Sequence, residues 1–160
     1  MNESKLISER LKMSGVLLDP RLKRDCHPLG RLEGSELLLM RNALFPWFVL
    51  VPETAEIEFY RLEMQLQMQL LSQINLLSEF IVENFPTDKI NIGMIGNMVS
   101  QLHVHVVGRN REDSCWPGVV WGTQQFRPYE TGEVVKIAEK LTSSMHGRFS
   151  ADPAIITLKE

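Results

Sequence analysis

The sequence predicts an α+β fold in which an antiparallel sheet packs against one long helix and a shorter C-terminal helix. Three features lead there. Two apolar runs, 36–40 (ELLLM) and 48–51 (FVLV), are separated by 41–47, which carries Pro46. Strand-length runs joined by a short connection read as an antiparallel hairpin. Residues 55–84 contain no glycine or proline and repeat apolar side chains every three or four positions, the period of a helix face. Residues 101–106 alternate polar and apolar side chains, the period of a strand.

The other elements follow in chain order. Residues 4–13 have helical spacing through Leu6, Ile7 and Leu11. Residues 19–34 are rich in charge and turn formers and read as an extended arm. Pro52 ends the second hairpin strand, and Thr54 is a suitable N-cap for the long helix. Within that helix Ile57, Tyr60, Met64, Met68, Leu71, Ile74, Ile81 and Phe85 form the expected core stripe, broadened by Leu62, Leu66, Leu70 and Leu77. Residues 89–94 and 98–107 read as two further strands with Gly96-Asn97 as their turn. A loop over 110–130, a helix over 132–145 and a short peripheral tail over 150–160 complete the chain.

Length and composition bound the function. The chain has 160 residues, 44% hydrophobic and 23% charged, which fits one domain over 1–160 with a real core. It is too short for a dinucleotide-binding enzyme with a second catalytic domain. Lys and Arg number 17 against 20 Asp and Glu, for a net charge of −3; this argues against stable binding to nucleic acid. Cys26 and Cys115 form no CxxC pair. The N-terminus has no apolar leader, and the longest uncharged run, 90–108, holds too many polar residues for a membrane helix. A soluble cytoplasmic protein is expected, without membrane contact.

The chemistry concentrates in Gln101-Leu102-His103-Val104-His105-Val106-Val107-Gly108-Arg109. Strand alternation sets Gln101, His103 and His105 on one face and Leu102, Val104 and Val106 on the other. Two histidines on a strand face are compatible with a structural role, a metal pair or catalysis. Imidazole near its ordinary pKa is largely neutral at pH 7 and has a lone pair that can attack phosphorus. A second imidazole two residues on can hold a phosphate oxygen. Residues 93–96 lack bulk and would let a phosphate approach the backbone. Arg109 and Arg111 offer positive charge beside it.

This spacing resembles the histidine-triad (HIT) superfamily signature His-φ-His-φ-His-φ-φ, where φ is apolar, in a bacterial branch with glutamine at the first position. The hairpin, the long helix, the paired strands and Trp116-Pro117-Gly118 fall in family order, so the resemblance covers about 20–122. It implies a homodimeric α+β protein that binds nucleotides and cleaves a phosphoester, phosphoanhydride or phosphoramidate at the α-phosphate, with no cofactor and no metal. His103 matches the nucleophile that carries a nucleotidyl intermediate, and His105 and Gln101 complete the triad. Asn42 matches a ribose ligand, and Asn91, Gly96 and Asn97 match the nucleoside- and phosphate-binding segment. Gln101 cannot supply a proton at neutral pH, and Met98 stands where the family often has a hydroxyl. The alternative is therefore a nucleotide-binding module with little or no turnover.

Other residues carry open expectations. Trp116 and Trp121 are candidates to cap a base, to pack in a dimer, or to pack loop to core. Cys26, His27, His103 and His105 have no compact metal-ligand spacing. His146 lies near the end of the C-terminal helix, where a cation is favoured.

Overall fold

The computed structural model describes residues 17–157; the helical expectation for 4–13 lies outside them. The elements are α1 (Pro20–Asp25), β1 (Cys26–Leu32), β2 (Ser35–Met40), β3 (Trp47–Val51), a 3-10 turn (Phe59–Arg61), α2 (Met64–Asn84), β4 (Lys89–Gly93), β5 (Val104–Arg109), α3 (Thr131–Ser144), β6 (Phe149–Ala151) and α4 (Pro153–Thr157). The strands form one six-stranded sheet in the order β4-β5-β3-β2-β1-β6, with every pairing antiparallel. The hairpin, the long helix, the β4 and β5 strands and the C-terminal helix appear where the sequence placed them, with altered ends.

Both faces of the sheet are covered. On one face Phe48, Leu50, Val104 and Val106 pack with Leu77 and Ile81 of α2 and with Leu141 of α3. On the other, Trp47, Val49, Val51 and Val107 pack with Leu22 of α1, Phe45, Val99 and Val120. All five residues of β3 are buried, which explains why its sequence is a continuous apolar run rather than an alternating one. In α2 the buried positions include Leu70, Gln73, Ile74, Leu77 and Ile81. Gln73 is fully enclosed and fully used: its Oε1 accepts from the Ser35 hydroxyl at 2.7 Å, and its Nε2 donates to the carbonyls of Leu32 and Glu33, each at 3.1 Å. The helix is thereby pinned to the β1–β2 turn, where Glu33 and Gly34 both have positive φ, the pattern of a tight two-residue hairpin.

Four expectations are corrected. Residues 19–34 are not an arm but α1 and β1. Pro20 opens α1, and the Asp19 carboxylate accepts from the Arg21 N–H at 2.8 Å, a proline-first, aspartate-capped start. The long helix begins at Met64 rather than residue 55. Thr54 closes a local turn by accepting from the Glu56 N–H at 3.1 Å, the competing use of a hydroxyl that also suits an N-cap. Ile57 and Tyr60 lie before it and are exposed. Met64, Met68 and Leu71 lie within it on the face away from its buried residues, Met64 and Met68 exposed by 68% and 66%. Residues 98–103 precede β5 as irregular chain. The tail is not peripheral, because β6 pairs with β1 and Ile155 of α4 is buried in the main core.

Glycine positions offer a test of this packing. A Cβ on Gly108 would lie 2.5 Å from Ile81, 2.8 Å from Pro46 and 2.9 Å from Thr87, whereas one on Gly132 in α3 meets nothing within 4 Å. Gly108→Ala should lower unfolding free energy by about 1–3 kcal/mol through overpacking. Gly132→Ala should raise it by up to about 1 kcal/mol through helix propensity. Urea unfolding of both variants measures the contrast.

Candidate active site

Strand β5 carries His105 on the sheet face away from α2 and α3, between the buried Val104 and Val106. His103 sits one residue before the strand. Both imidazoles are buried, 6% and 7% exposed, and their centroids are 4.9 Å apart. The structure brings them together as alternation predicts, although only His105 lies within the strand.

Each ring has one nitrogen committed. His103 Nδ1 lies 2.7 Å from the Gln101 carbonyl oxygen. A carbonyl only accepts, so this nitrogen carries the proton and Nε2 keeps its lone pair. His105 Nδ1 lies 2.9 Å from Trp47 Nε1. An indole N–H only donates, so here Nδ1 accepts and the proton sits on Nε2. Neighbouring rings thus present opposite characters at Nε2: an electron pair on His103 and an N–H on His105. Burial, and then the adjacent His103, push His105 down to about 4, so it is neutral near pH 7.

Two tryptophans complete its wall: Trp121, for which base capping was one of several open expectations, and Trp47, which sequence reasoning did not assign to the site. Trp121 stands edge-on to His105 at 5.7 Å and to Trp47 at 6.0 Å. It fits because Gly93 faces it: a Cβ there would lie 2.9 Å from the Trp121 ring. Gly93 pairs with His105 across β4 and β5, so its missing side chain admits a tryptophan rather than a phosphate. Trp121 Nε1 is buried without a hydrogen-bond partner among the described residues. Trp47 had a legible signal, since a tryptophan opening a buried strand needs an acceptor for its N–H; nothing in the sequence names His105 as that acceptor.

The other expected residues separate into three groups. Gly96, Asn97, Gln101 and His103 line one cavity of about 170 Å³, together with Glu58, Phe59 and Ser100. Asn42 belongs to a second cavity of about 350 Å³ with Arg24, Met40, Arg41, Trp47 and Phe126. Its amide donates to the Gln125 carbonyl at 2.9 Å and accepts from the N–H groups of Leu44 and Arg127. Asn91 and Arg109 are in neither cavity. Arg109, 1% exposed, donates to both Asp113 carboxylate oxygens at 2.8 and 2.9 Å and to Asn91 Oδ1 at 2.9 Å. Burial disfavours the Asp113 carboxylate, but the Arg109 hydrogen bonds and the N–H groups of Cys115 and Asn110 outweigh it and hold its pKa low. The guanidinium lies near the Phe45 and Trp116 rings, so Arg109 staples a loop and is not a phosphate ligand. The Arg111 N–H bonds Asp88.

Gln101 also differs from expectation. Its Oε1 accepts from the Asp19 N–H at 2.8 Å, and its Nε2 donates to the Leu17 carbonyl at 3.1 Å. The side chain is turned to the N-terminal segment; only its backbone carbonyl serves a histidine. His27 is occupied by Arg41 and Tyr129. Among the described residues no group of three or more His, Cys, Asp or Glu is placed to hold a metal ion.

The burial of His105 has a pH consequence. Its pKa is about 4 in the folded chain against an ordinary 6.5, so between these values the unfolded chain binds the extra proton. Stability contributed by neutral His105 is fully present above about pH 6.5 and falls towards pH 4, by up to about 1.4 kcal/mol per pH unit. Urea unfolding across pH 4–7 should show that slope in the wild type and a shallower one in His105→Asn.

Comparison with known proteins agrees with the geometry. The HIT domain family model matches residues 21–112. Among solved structures, a histidine triad protein of Sinorhizobium meliloti 1021 is 38% identical, with a TM-score of 0.75 over 79% of this chain and 94% of its own. One from Marinobacter aquaeolei VT8 is also 38% identical, with a TM-score of 0.76 over 81% and 96%. A third, from Bradyrhizobium japonicum, is 35% identical, with a TM-score of 0.76 over 81% and 98%. No curated protein sequence matches. A family match over more than half the chain, and relatives this similar over most of it, leave one assignment: the chain belongs to the HIT (histidine-triad) domain family.

Proposed function

We propose that the protein cleaves a nucleoside phosphoester, phosphoanhydride or phosphoramidate at the α-phosphate through a nucleotidyl intermediate on His103. The observation that carries this is the opposite Nε2 character of the two rings. His103 Nε2 attacks phosphorus, a P–N bond forms, and the bond to the leaving group breaks. The His105 Nε2–H donates to a phosphate oxygen without having to ionise, as suits a group whose pKa is about 4. Water then attacks phosphorus, the P–N bond breaks, and a nucleoside monophosphate leaves.

The two cavities divide the substrate. Trp47 belongs to the cavity of Asn42 and donates to His105, which supports placing the nucleoside there. An amide has two N–H donors and two lone pairs; Asn42 has one N–H remaining for a ribose hydroxyl after its three internal bonds. The cavity of Gly96 and Asn97 beside His103 takes the leaving group. The buried Trp121 N–H supports a ligand oxygen near His105, since an unmet buried donor costs about 1–3 kcal/mol.

A homodimer is part of the same reading. The β4 edge is open, with Ile92 exposed, and the exposed Met64, Met68 and Leu71 of α2 form an apolar face. Open edges and apolar faces of this kind are commonly covered by association. The described helices include none long and apolar enough to cross a membrane. Two free thiols, Cys26 and Cys115, support a reducing cytosol as the compartment.

A second reading, nucleotide binding with little turnover, is favoured by the scarcity of proton donors: Gln101 is an amide, Met98 has no hydroxyl, and His105 is neutral. The readings diverge on one experiment. With a nucleoside 5′-phosphoramidate or dinucleoside polyphosphate, wild type should release mononucleotide, His103→Ala should lose about 1,000-fold or more, and mass spectrometry should find an acid-labile adduct on His103. Calorimetric binding with neither product nor adduct selects the second reading. Light scattering should give twice the 18.4 kDa chain mass, and Met68→Glu should shift that mass towards the monomer.

A further inference from the structure

We infer that Gln101 is a positioning residue: its side chain buckles the His103 loop to the N-terminal segment, and its backbone carbonyl thereby holds the nucleophile in its reactive tautomer. The inference rests on the proposed role of His103. Residues 98–103 have no ladder of their own, so the carbonyl that meets His103 Nδ1 at 2.7 Å needs another source of rigidity. The Gln101 amide supplies it with two bonds in opposite senses, accepting from Asp19 N–H at 2.8 Å and donating to Leu17 O at 3.1 Å. A side-chain amide used this way imitates a peptide group in a strand pair, with one bond made by its oxygen and one by its nitrogen.

The partner segment is itself anchored. Asp19 caps α1, and Leu22 of α1 packs in the core under Trp47 and Val99. Arg21 adds a bond to the Met98 carbonyl at the start of the same loop. A continuous path therefore runs from the sheet core through α1, Asp19 and the Gln101 amide to the Gln101 carbonyl and His103. If the clasp opens, the carbonyl swings, the Nδ1–H loses its acceptor, and the proton is free to move to Nε2, which removes the attacking lone pair. An ionisable residue at position 101 would make the clasp depend on pH; glutamine makes it constant.

The test uses the full-length protein and two lesions on opposite sides of the clasp. Gln101→Ala removes both side-chain bonds. Asp19→Pro removes only the donor N–H and the cap; Asp19 has φ −52° and ψ 136°, which proline adopts without strain. Asp19→Ala lacks the cap alone, so the ratio of Asp19→Pro to Asp19→Ala isolates the N–H bond. Long-range proton–nitrogen spectra should show His103 wholly as the Nδ1–H tautomer in wild type and as a mixture in Gln101→Ala and Asp19→Pro. With a nucleoside 5′-phosphoramidate, kcat should fall about 10- to 100-fold in both, with KM within about twofold. Unchanged tautomer and kcat in Gln101→Ala, even with a lowered melting temperature, overturn the inference and leave Gln101 a stability residue. If wild type turns nothing over, the hydrolase reading fails by itself, and the tautomer spectra still decide the clasp.

Discussion

The structure depends on strand β5 being enclosed on both sides. One face carries Val104 and Val106 into the core closed by α2; the other carries Val107 into the cluster of Trp47 and Val49. His105 is carried inside by that arrangement, and a buried imidazole has to give up its charge and find a partner for each nitrogen. Trp47 supplies one partner. The proposed function gives the other nitrogen to a phosphate oxygen; under that reading a buried ring and a bound phosphate are satisfied by one geometry.

What was legible in the sequence was set by local rules. The hairpin showed itself through apolar runs around Pro46, α2 through its unbroken period, and His105 through alternation. The start of α2 was not legible because the apolar residues of 55–71, interleaved with Glu56, Glu58, Glu63, Gln65, Gln67 and Gln69, are spread around a helix rather than gathered on one face, and periodicity cannot choose a face when several are available. β1 and β6 were missed for a different reason. Phe149–Ala151 is three residues long, and its strand character comes from pairing with β1, a contact more than a hundred residues distant in the chain.

The site divides along the same line. His103 and His105 are two residues apart, and their association follows from strand geometry. Trp47, Trp121 and Gly93 reach them by register and loop packing, which one sequence does not display. Arg109 misled because proximity in sequence to the proposed phosphate site says nothing about facing. As position 109 alternates with 108, its side chain points into the cluster of Phe45, Trp116 and Asp113. Its charge is met there by a carboxylate and an amide.

Gln73 has a consequence for how the long helix finds its place. Its amide joins Ser35, Leu32 and Glu33 in a pocket closed to water. Were α2 rotated by one residue, an amide and two strand-end carbonyls would be stranded inside, each at about 1–3 kcal/mol. Leucines and isoleucines alone would specify that setting less sharply, since apolar burial is non-directional. A single polar key, placed where it has one lock, gives this helix a unique setting and leaves the alternatives without a stable home.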